Sequence, residues 1–237
     1  MSFDSDSFYQ QAATRRLLEQ ELAALAPILA GVYGNAGLLL RAHAAAPAGI
    51  TAPLLGGLLD LALDDAQTLR GNLSCAPDEL PLASESCKLI VVQHLFERIG
   101  DPAGCAAEIA RVLAPEGVLL VLGFNPTSLW RPWLVKTSRS ARTPLHFESA
   151  QRWAGVMNAQ GIDSLQTRYL GAFSPWSMPP ARTAEEAPAS ALARFRASWL
   201  LLARKRRSAL TPLRLRRDAR TLARSPRLAP GAHRECA

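Results

Sequence analysis

The sequence predicts an α/β fold in which a doubly wound sheet is mostly parallel, has an antiparallel last strand and carries an N-terminal helical cover. The main observation comes from residues 87–126, where two apolar runs flank one amphipathic segment. The run at 89–92 is short and partly β-branched, which is typical of a strand buried on both faces. The run at 118–124 is its counterpart. A strand, a helix and a second strand in this order predict a right-handed crossover between parallel strands.

The helix of this crossover has a start, a buried face and an end in the sequence. Asp101 suits the N-cap and Pro102 the first helical position. A Pro-Glu-Gly turn at 115–117 ends the helix. The apolar stripe at helical spacing consists of Cys105, Ile109, Val112 and Leu113. Because ligands of open parallel sheets bind beyond the carboxyl ends of the strands, residues 93–94 and 124–125 become candidate site positions.

The composition predicts one cytoplasmic domain with appendages. An apolar fraction of 49% in 237 residues is ample for a core. The cysteines are predicted to be reduced thiols, since they show neither a C-x-x-C pair nor a metal-ligand spacing, and no metal site is predicted. The first residues lack a basic-then-apolar signal pattern. No window approaches the roughly 18 uninterrupted apolar residues of a membrane span.

The positive charge is concentrated at the end of the chain. Residues 194–237 contain 13 Lys or Arg residues against Asp218 and Glu235, a net charge of +11, so the rest of the chain carries −4 of the total of +7. Residues 211–237 are therefore predicted to form a basic, disordered tail. The charge favours either weak nucleic-acid contact through residues 194–237 or a merely solvated extension.

The remaining elements follow from apolar spacing. Residues 1–35 are predicted to form the helical cover, which either packs on the sheet or acts as a lid. Its stripe consists of Leu18, Leu22, Leu25 and Leu29. The main domain is predicted to span 36–210 and to contain a strand at 38–40, a basic aromatic loop at 130–143, a helix at 146–158, a strand at 162–173, a Pro-rich connection at 174–190 and the final antiparallel strand at 198–205.

Several motifs of residues 87–126 match one family. The matching residues are His94-Leu95-Phe96-Glu97, Asp101-Pro102, Glu108-Ile109, Arg111-Val112-Leu113, Pro115 and Gly117. They resemble the type 11 methyltransferase domain of the class I S-adenosylmethionine-dependent methyltransferases. Residues 123–130, GFNPTSLW, resemble a narrower bacterial subgroup with G-F-N-P-x-S-L-W. The resemblance implies a Rossmann-like sheet, S-adenosylmethionine as the cofactor and methyl transfer as the activity.

The cofactor motif of that family is degenerate in this sequence. The family has a G-x-G-x-G turn after its first strand, where the missing Cβ atoms let the backbone approach the cofactor. Here Arg41, Ala42 and His43 follow the apolar run instead. These three residues are the candidates for the methionine end of the cofactor, and the Arg41 guanidinium would either meet the cofactor carboxylate or fill the cleft.

The resemblance implies further cofactor contacts from the second to the fourth strand. A carboxylate at the end of the second strand would hold the ribose hydroxyls, and the candidates are Asp60, Asp64 and Asp65. Ala76 and Asp78 lie where the family frames the adenine. The short distance between these landmarks leaves little room for a full helix and a third strand.

Two further groups are predicted to lie near the reacting methyl. Gln93 and His94 would contact the cofactor, and His94 is the candidate general base because histidine titrates near neutral pH. The substrate-facing candidates are Phe124, Asn125 and Trp130.

Two functions therefore follow from the sequence. The first is S-adenosylmethionine-dependent methyl transfer to an unidentified acceptor, a small molecule or a macromolecule. The second is a pseudo-methyltransferase that has lost the cofactor and acts as an interaction module, with nucleic-acid contact through the Arg-rich tail.

Overall fold

The computed structural model describes residues 5–64, 67–140, 145–176 and 191–206, all within the unit 1–207. The Pro-rich stretch 177–190 and the predicted tail 211–237 lie outside the described residues. The predicted domain boundaries stay predictions. The helices are α1 (Ser5–Gln10), α2 (Ala12–Leu29), α3 (Pro102–Val112), α4 (Arg131–Ser140) and α5 (Ala150–Ala159). The strands are β1 (Gly37–Arg41), β2 (Leu58–Leu63), β3 (Leu69–Gly71), β4 (Ser74–Cys75), β5 (Cys87–Gln93), β6 (Leu113–Phe124), β7 (Ile162–Leu170) and β8 (Ser198–Lys205).

The eight strands form one sheet in the order β4-β3-β2-β1-β5-β6-β8-β7. The four central strands β2, β1, β5 and β6 are parallel to one another. Strand β8 runs antiparallel to both β6 and β7, and β3 runs antiparallel to β2 and β4. This arrangement confirms the prediction of a mostly parallel, Rossmann-like sheet with an antiparallel last strand.

The crossover from β5 through α3 to β6 has the predicted order of elements and the predicted helix start. The Asp101 carboxylate accepts hydrogen bonds from the amides of Ala103 and Gly104, at 3.1 and 2.9 Å. These bonds satisfy two of the amides that a helix start leaves without partners. The predicted end of the helix is wrong, since α3 ends at Val112 and β6 already begins at Leu113, so the Pro-Glu-Gly segment at 115–117 lies within the strand. The residue before a proline disfavours the helical conformation, which ends the helix earlier. The apolar runs are buried along nearly their whole length because each sheet face is covered.

The half of the sheet that precedes β5 is much reduced. No helix lies between β1 and β5 among the residues that the structure describes there. Residues 42–57 connect β1 to β2 and contain two prolines and three glycines, which oppose a helix. Strand β2 then turns back into the short antiparallel strands β3 and β4. The chain between β1 and β5 is too short for a full set of helices, as the sequence already indicated, and this explains why they are missing from the residues described there.

The two faces of the sheet have separate cores. One face packs on α3 and α5 through a cluster that includes Ile90, Ile109 and Trp153. The other face packs on α2. Leu25 and Leu29 of this helix share a buried cluster with Leu39 of β1. All four leucines of the predicted α2 stripe are buried. The helical cover is therefore part of the folded domain.

The segment after β6 differs from the prediction. Residues 131–140 form helix α4 and not a loop. Pro132 lies in its first turn, where it is tolerated, and Leu134, Thr137 and Ser138 form a buried stripe at helical spacing. The density of basic residues concealed this stripe in the sequence.

Substitution of Gly123 by alanine tests the packing of β8 on β6. A Cβ at this position would lie 2.4 Å from a ring carbon of the buried Trp199 side chain. We expect Gly123→Ala to lower the free energy of unfolding by about 1–3 kcal/mol, because the ring has no room to withdraw. Urea denaturation measures this change.

The matched control is Gly155→Ala in α5, where a Cβ would meet no atom within 4 Å. It should raise the free energy of unfolding by roughly 0.5–1 kcal/mol, since alanine restricts the unfolded chain. Equal effects of the two substitutions would contradict the packing of Trp199 on Gly123.

Candidate functional site

The candidate site lies where the parallel strands end. Strands β1, β5 and β6 end at Arg41, Gln93 and Phe124, and these strands are neighbours in the sheet. Helices α1 and α2 cover this edge, since Phe8 and Tyr9 of α1 share a buried cluster with Ala42 and Phe124. The edge is therefore a covered site.

Arg41 binds Asp60 across β1 and β2. Its Nε and Nη2 donate to the two carboxylate oxygens of Asp60 at 2.7 and 2.8 Å. Its Nη1 donates to the carbonyl oxygens of Ala44 and Ala46 at 3.0 and 2.7 Å. Such bidentate pairs are strong and geometrically fixed. The guanidinium, which is almost fully buried, thus holds the turn after β1 in place.

The turn itself takes the place of a glycine-rich loop. Ala42 is fully buried, and the amide of Ala45 donates to Nδ1 of His43 at 3.1 Å. The ring of Tyr9 stacks on the His43 ring, with a centroid distance of 5.4 Å and an interplanar angle of 2°. The Cβ atoms and the stacked rings occupy the space that glycines would leave open.

Of the other two carboxylates predicted for the ribose, Asp64 is also engaged, and Asp65 lies outside the described residues. Asp64 follows β2 directly and accepts from the amide of Thr68 at 2.8 Å and from Nε of Arg70 at 2.7 Å. Its role in the structure is to fix the turn from β2 into β3. The arrangement uses both Asp60 and Asp64 for structural bonds.

The residues predicted for the adenine follow β4. The carbonyl of Ala76 accepts from the amide of Glu79 at 3.2 Å, which closes a turn. Asp78 lies beside the start of α3, because a Cβ on Gly104 would be 3.3 Å from the Asp78 Cβ. Their contact with an adenine stays a prediction.

His94 is held between two carboxylates. Nε2 lies 2.8 Å from Oε2 of Glu21 in α2, and Nδ1 lies 2.9 Å from Oε2 of Glu97. All three residues are buried, and the ring lies 4.0 Å from that of Phe124. His94 adopts a left-handed backbone conformation with φ 54°, which aims its ring back at the sheet.

The pKa values of this group follow from burial and charge. Burial disfavours the imidazolium, but the Glu21 and Glu97 carboxylates outweigh it and raise the pKa of His94 to about 10. Burial also raises the pKa of Glu97, although His94 and the amide of Phe124 oppose this shift. His94 is therefore an imidazolium at neutral pH, with both ring nitrogens donating. In this arrangement it holds no free lone pair for a general base, and its catalytic role stays a prediction.

Glu21 was not predicted from the sequence. Its signal was a carboxylate on the buried side of α2, between Leu18, Leu22 and Leu25. A buried carboxylate needs a partner, so this position called for a buried cation nearby. The distance of 73 residues to His94 hid the partner.

Several buried polar atoms at the covered edge have no hydrogen-bond partner. Both amide atoms of Gln93 are in this state, although the residue is fully buried at the end of β5. Among the described residues, the other buried side-chain atoms without a partner are the hydroxyl of Tyr9 in α1, Oγ1 of Thr14 and Oε1 of Glu21 in α2, Oγ of Ser128 after β6 and Oγ of Ser198 at the start of β8. Each unpaired buried group costs about 1–3 kcal/mol, so a ligand that supplies partners would bind favourably here.

The predicted substrate-facing residues hold backbone segments together. The Asn125 amide donates to the carbonyls of Arg194 and Arg196 at 2.6 and 2.9 Å. Nε1 of Trp130 donates to the carbonyl of Ala172 at 2.9 Å. Phe124 is fully buried beside His94. These three residues are buried and support the segments next to the candidate site. Their contact with a substrate stays a prediction.

Comparison with known proteins finds a family match over part of the chain. Residues 58–121 match a family model described as a methyltransferase domain. No curated protein matches the chain.

Solved structures share the fold at low sequence identity. A putative methyltransferase of Haloferax volcanii, solved in complex with the methyltransferase activator Trm112, is 14% identical, with 87% of this chain and 100% of the other covered and a TM-score of 0.58. An S-adenosylmethionine-dependent methyltransferase of Archaeoglobus fulgidus is 11% identical over 81% of this chain and 94% of the other, with a TM-score of 0.55. One from Mesorhizobium loti is 14% identical over 78% and 98%, with a TM-score of 0.53.

The fold is thus the one that S-adenosylmethionine-dependent methyltransferases use. Within that fold, residues 58–121 match the model of a methyltransferase domain. S-adenosylmethionine is the cofactor that the solved proteins of this fold are named for.

The described residues fit that cofactor on one side of the edge. On the β5 side, Gln93 offers an amide donor and an acceptor that have no protein partner. On the β1–β2 side the described arrangement does not fit the cofactor. The Asp60 carboxylate is already bound to Arg41, and the turn after β1 contains no glycine. No group of His, Cys, Asp and Glu in the described residues could hold a metal ion. No helix among them is long and apolar enough to cross a membrane.

The bond between Glu21 and His94 predicts a pH-dependent stability. Because the folded-state pKa of His94 lies above its ordinary 6.5, the imidazolium contributes full stability below about pH 6.5 and loses it as the pH rises towards 10. The free energy of unfolding should therefore fall between about pH 6.5 and 8.5, with a slope of up to about 1.4 kcal/mol per pH unit for one proton. Urea titrations across this range measure the slope.

Substitution of Glu21 isolates the cause. Glu21→Gln removes one of the two charges that favour the imidazolium, so the slope should become shallower and the variant less stable at pH 6.5. Glu19→Gln in the same helix is the control, since Glu19 is exposed and pairs with Arg15. An unchanged slope in Glu21→Gln would show that His94 does not carry the protonation.

Proposed function

We propose that this protein binds S-adenosylmethionine at the covered edge of the sheet and transfers its methyl group to an acceptor. The family match and the fold support the class of reaction. The observation that carries the site is the buried Gln93 side chain at the end of β5, which has two unpaired polar atoms. A cofactor group that forms hydrogen bonds with Gln93 would remove the free-energy cost of its two unpaired buried atoms.

The bound cofactor supplies an electrophilic methyl group on a sulfonium. The chain's own part is to bind, orient and exclude water, and such positioning is sufficient for in-line displacement. The cover of α1 and α2, with Phe8 and Tyr9 fully buried, keeps water from the edge. Because His94 is charged and held by two carboxylates, the acceptor would have to bring its own deprotonated nucleophile in this arrangement.

Substitution of Gln93 by leucine tests the site. Gln93→Leu keeps the volume and removes both unpaired atoms, so the variant should be at least as stable as the parent protein. Its affinity for S-adenosylhomocysteine, the product form, should fall about tenfold or more, because the ligand loses its hydrogen-bond partners. Isothermal titration calorimetry with S-adenosylmethionine and S-adenosylhomocysteine measures the affinity.

The control is Gln166→Leu on the exposed side of β7, which should leave the affinity unchanged. Absence of binding to the parent protein at about 1 mM of either compound would refute the proposed function. Binding that is equally strong in Gln93→Leu would move the site away from β5.

One contact favours the second function, a cofactor-free fold that acts as an interaction module. The bidentate pair of Arg41 and Asp60 fills the β1–β2 side of the edge. The comparisons offer no example of this second function. The same calorimetry separates the two, because an interaction module would bind neither compound.

A further inference from the structure

Arginine and aromatic side chains lie at one corner of the carboxyl edge of the sheet, in an arrangement that methyl transfer does not require. Strands β6, β7 and β8 meet there, since Phe124 pairs with Ser198 and Ser198 with Leu170. The connections at this corner carry what we call the arginine–aromatic rim. It consists of Arg131, Phe147, Phe173, Arg194, Phe195 and Arg196.

Each arginine of the rim lies over an aromatic ring. The guanidinium carbon of Arg194 is 5.1 Å from the centroid of the Phe195 ring. The corresponding distance from Arg196 to Phe173 is 5.5 Å, and that from Arg131 to Phe147 is 6.0 Å. Such stacking holds the guanidinium plane against a ring while its N–H groups stay available at the edge.

The rim is built by buried side chains. The Asn125 amide holds the backbone of residues 194 and 196, and the indole N–H of Trp130 holds the backbone of residue 172. Nη1 of Arg196 adds a bond to the carbonyl of Gly171 at 3.1 Å. Asn125 and Trp130 are almost fully buried. The rim is thus fixed before any partner arrives, which reduces the entropic cost of binding.

The charge of the rim is not neutralised within the described part of the chain. No carboxylate there pairs with Arg131, Arg194 or Arg196. Lys136 and Arg139 of α4 add two exposed cations. An uncompensated cluster of this kind attracts polyanions.

Exposed apolar side chains accompany the charges. The exposed fractions are 83% for Trp176, 64% for Leu129 and 38% for Phe173. Exposed rings such as the indole of Trp176 and the phenyl ring of Phe173 offer flat faces for stacking, and Arg196 lies over the Phe173 ring. Bases of a single strand provide flat faces and phosphates together, whereas an acidic peptide offers carboxylates and duplex nucleic acid keeps its bases stacked.

We propose that the arginine–aromatic rim binds a single-stranded nucleic acid, with phosphates on the three arginines and bases on the exposed aromatic rings. The rim borders Phe124 and the covered edge, so a bound strand would lie at the entrance to the candidate site. That this strand is the methyl acceptor rests on the proposed function. The binding itself does not, and it is measured without any cofactor.

The test is fluorescence anisotropy with the full-length protein and a labelled single-stranded RNA of about 12 nucleotides. The double variant Arg131→Ala/Arg194→Ala should weaken binding at least tenfold. It should also reduce the slope of log K against log salt, between about 50 and 200 mM, by one to two. Phe173→Ala should weaken binding about tenfold with little change in slope, because it removes stacking and no charge.

Two controls are matched to these variants on the opposite edge of the sheet. Arg204 lies near the end of β8 and its side chain is 52% exposed, whereas Ser198 at the start of β8 lies by the rim. Tyr33 precedes β1 and is 75% exposed. Arg204→Ala and Tyr33→Ala should bind the strand within about twofold of the parent protein. Because every variant keeps the basic residues beyond the described part, their contribution to binding is the same in all of them.

The outcomes decide between partners. Equal losses in the rim variants and the controls would overturn the proposal and assign the binding to net charge. Tighter binding of the duplex or of a poly-glutamate peptide than of the single strand would also overturn it. Binding of the strand without any binding of S-adenosylhomocysteine would uphold the rim and refute the methyl-transfer function.

Discussion

The buried imidazolium of His94 between Glu21 and Glu97 is the interaction on which the covered edge depends. It joins α2 to the end of β5, and Glu97 in turn accepts from the amide of Phe124 in β6. Removal of one partner from a buried cation and its two carboxylates strongly destabilises the fold, because a charge is left without compensation. This geometry commits α2 to one position on the sheet and keeps the edge closed. The helical cover packs on the sheet, and its role as a lid stays a prediction.

The reduced half of the sheet is held by a second, partly buried ion pair. A methyltransferase usually approaches its cofactor with backbone at the first turn, where glycine is needed. Here the side chain of Arg41 binds Asp60 and the carbonyls of the turn, and residues 42–57 contain no helix. The carboxylate and the turn are used to stabilise the chain. On the β5 side, the buried amide of Gln93 has no hydrogen-bond partner.

The carboxyl edge thus combines a closed interior with a charged exterior. Asn125 and Trp130 link them, because both are buried next to the edge and bind the backbone of the rim. The GFNPTSLW stretch of the sequence therefore has a structural role that its resemblance to a bacterial subgroup did not indicate. Fold similarity at 11–14% identity says which architecture the chain has, and the side chains of the edge decide which ligands it accepts.

The sequence alone determined the β5-α3-β6 crossover, because Asp101, the helical stripe and the two apolar runs are local patterns that agree with one another. It also determined the antiparallel β8 and the absence of room for a complete first half. It did not reveal helix α4, whose buried stripe is short and lies among basic residues. Only the tertiary structure decided the roles of the site residues. Arg41 and Asp60 are 19 residues apart and Glu21 and His94 are 73 residues apart, and no local pattern encodes which buried charge will meet which. Pairing of buried charges follows from packing of distant segments, since each needs a partner once water is removed.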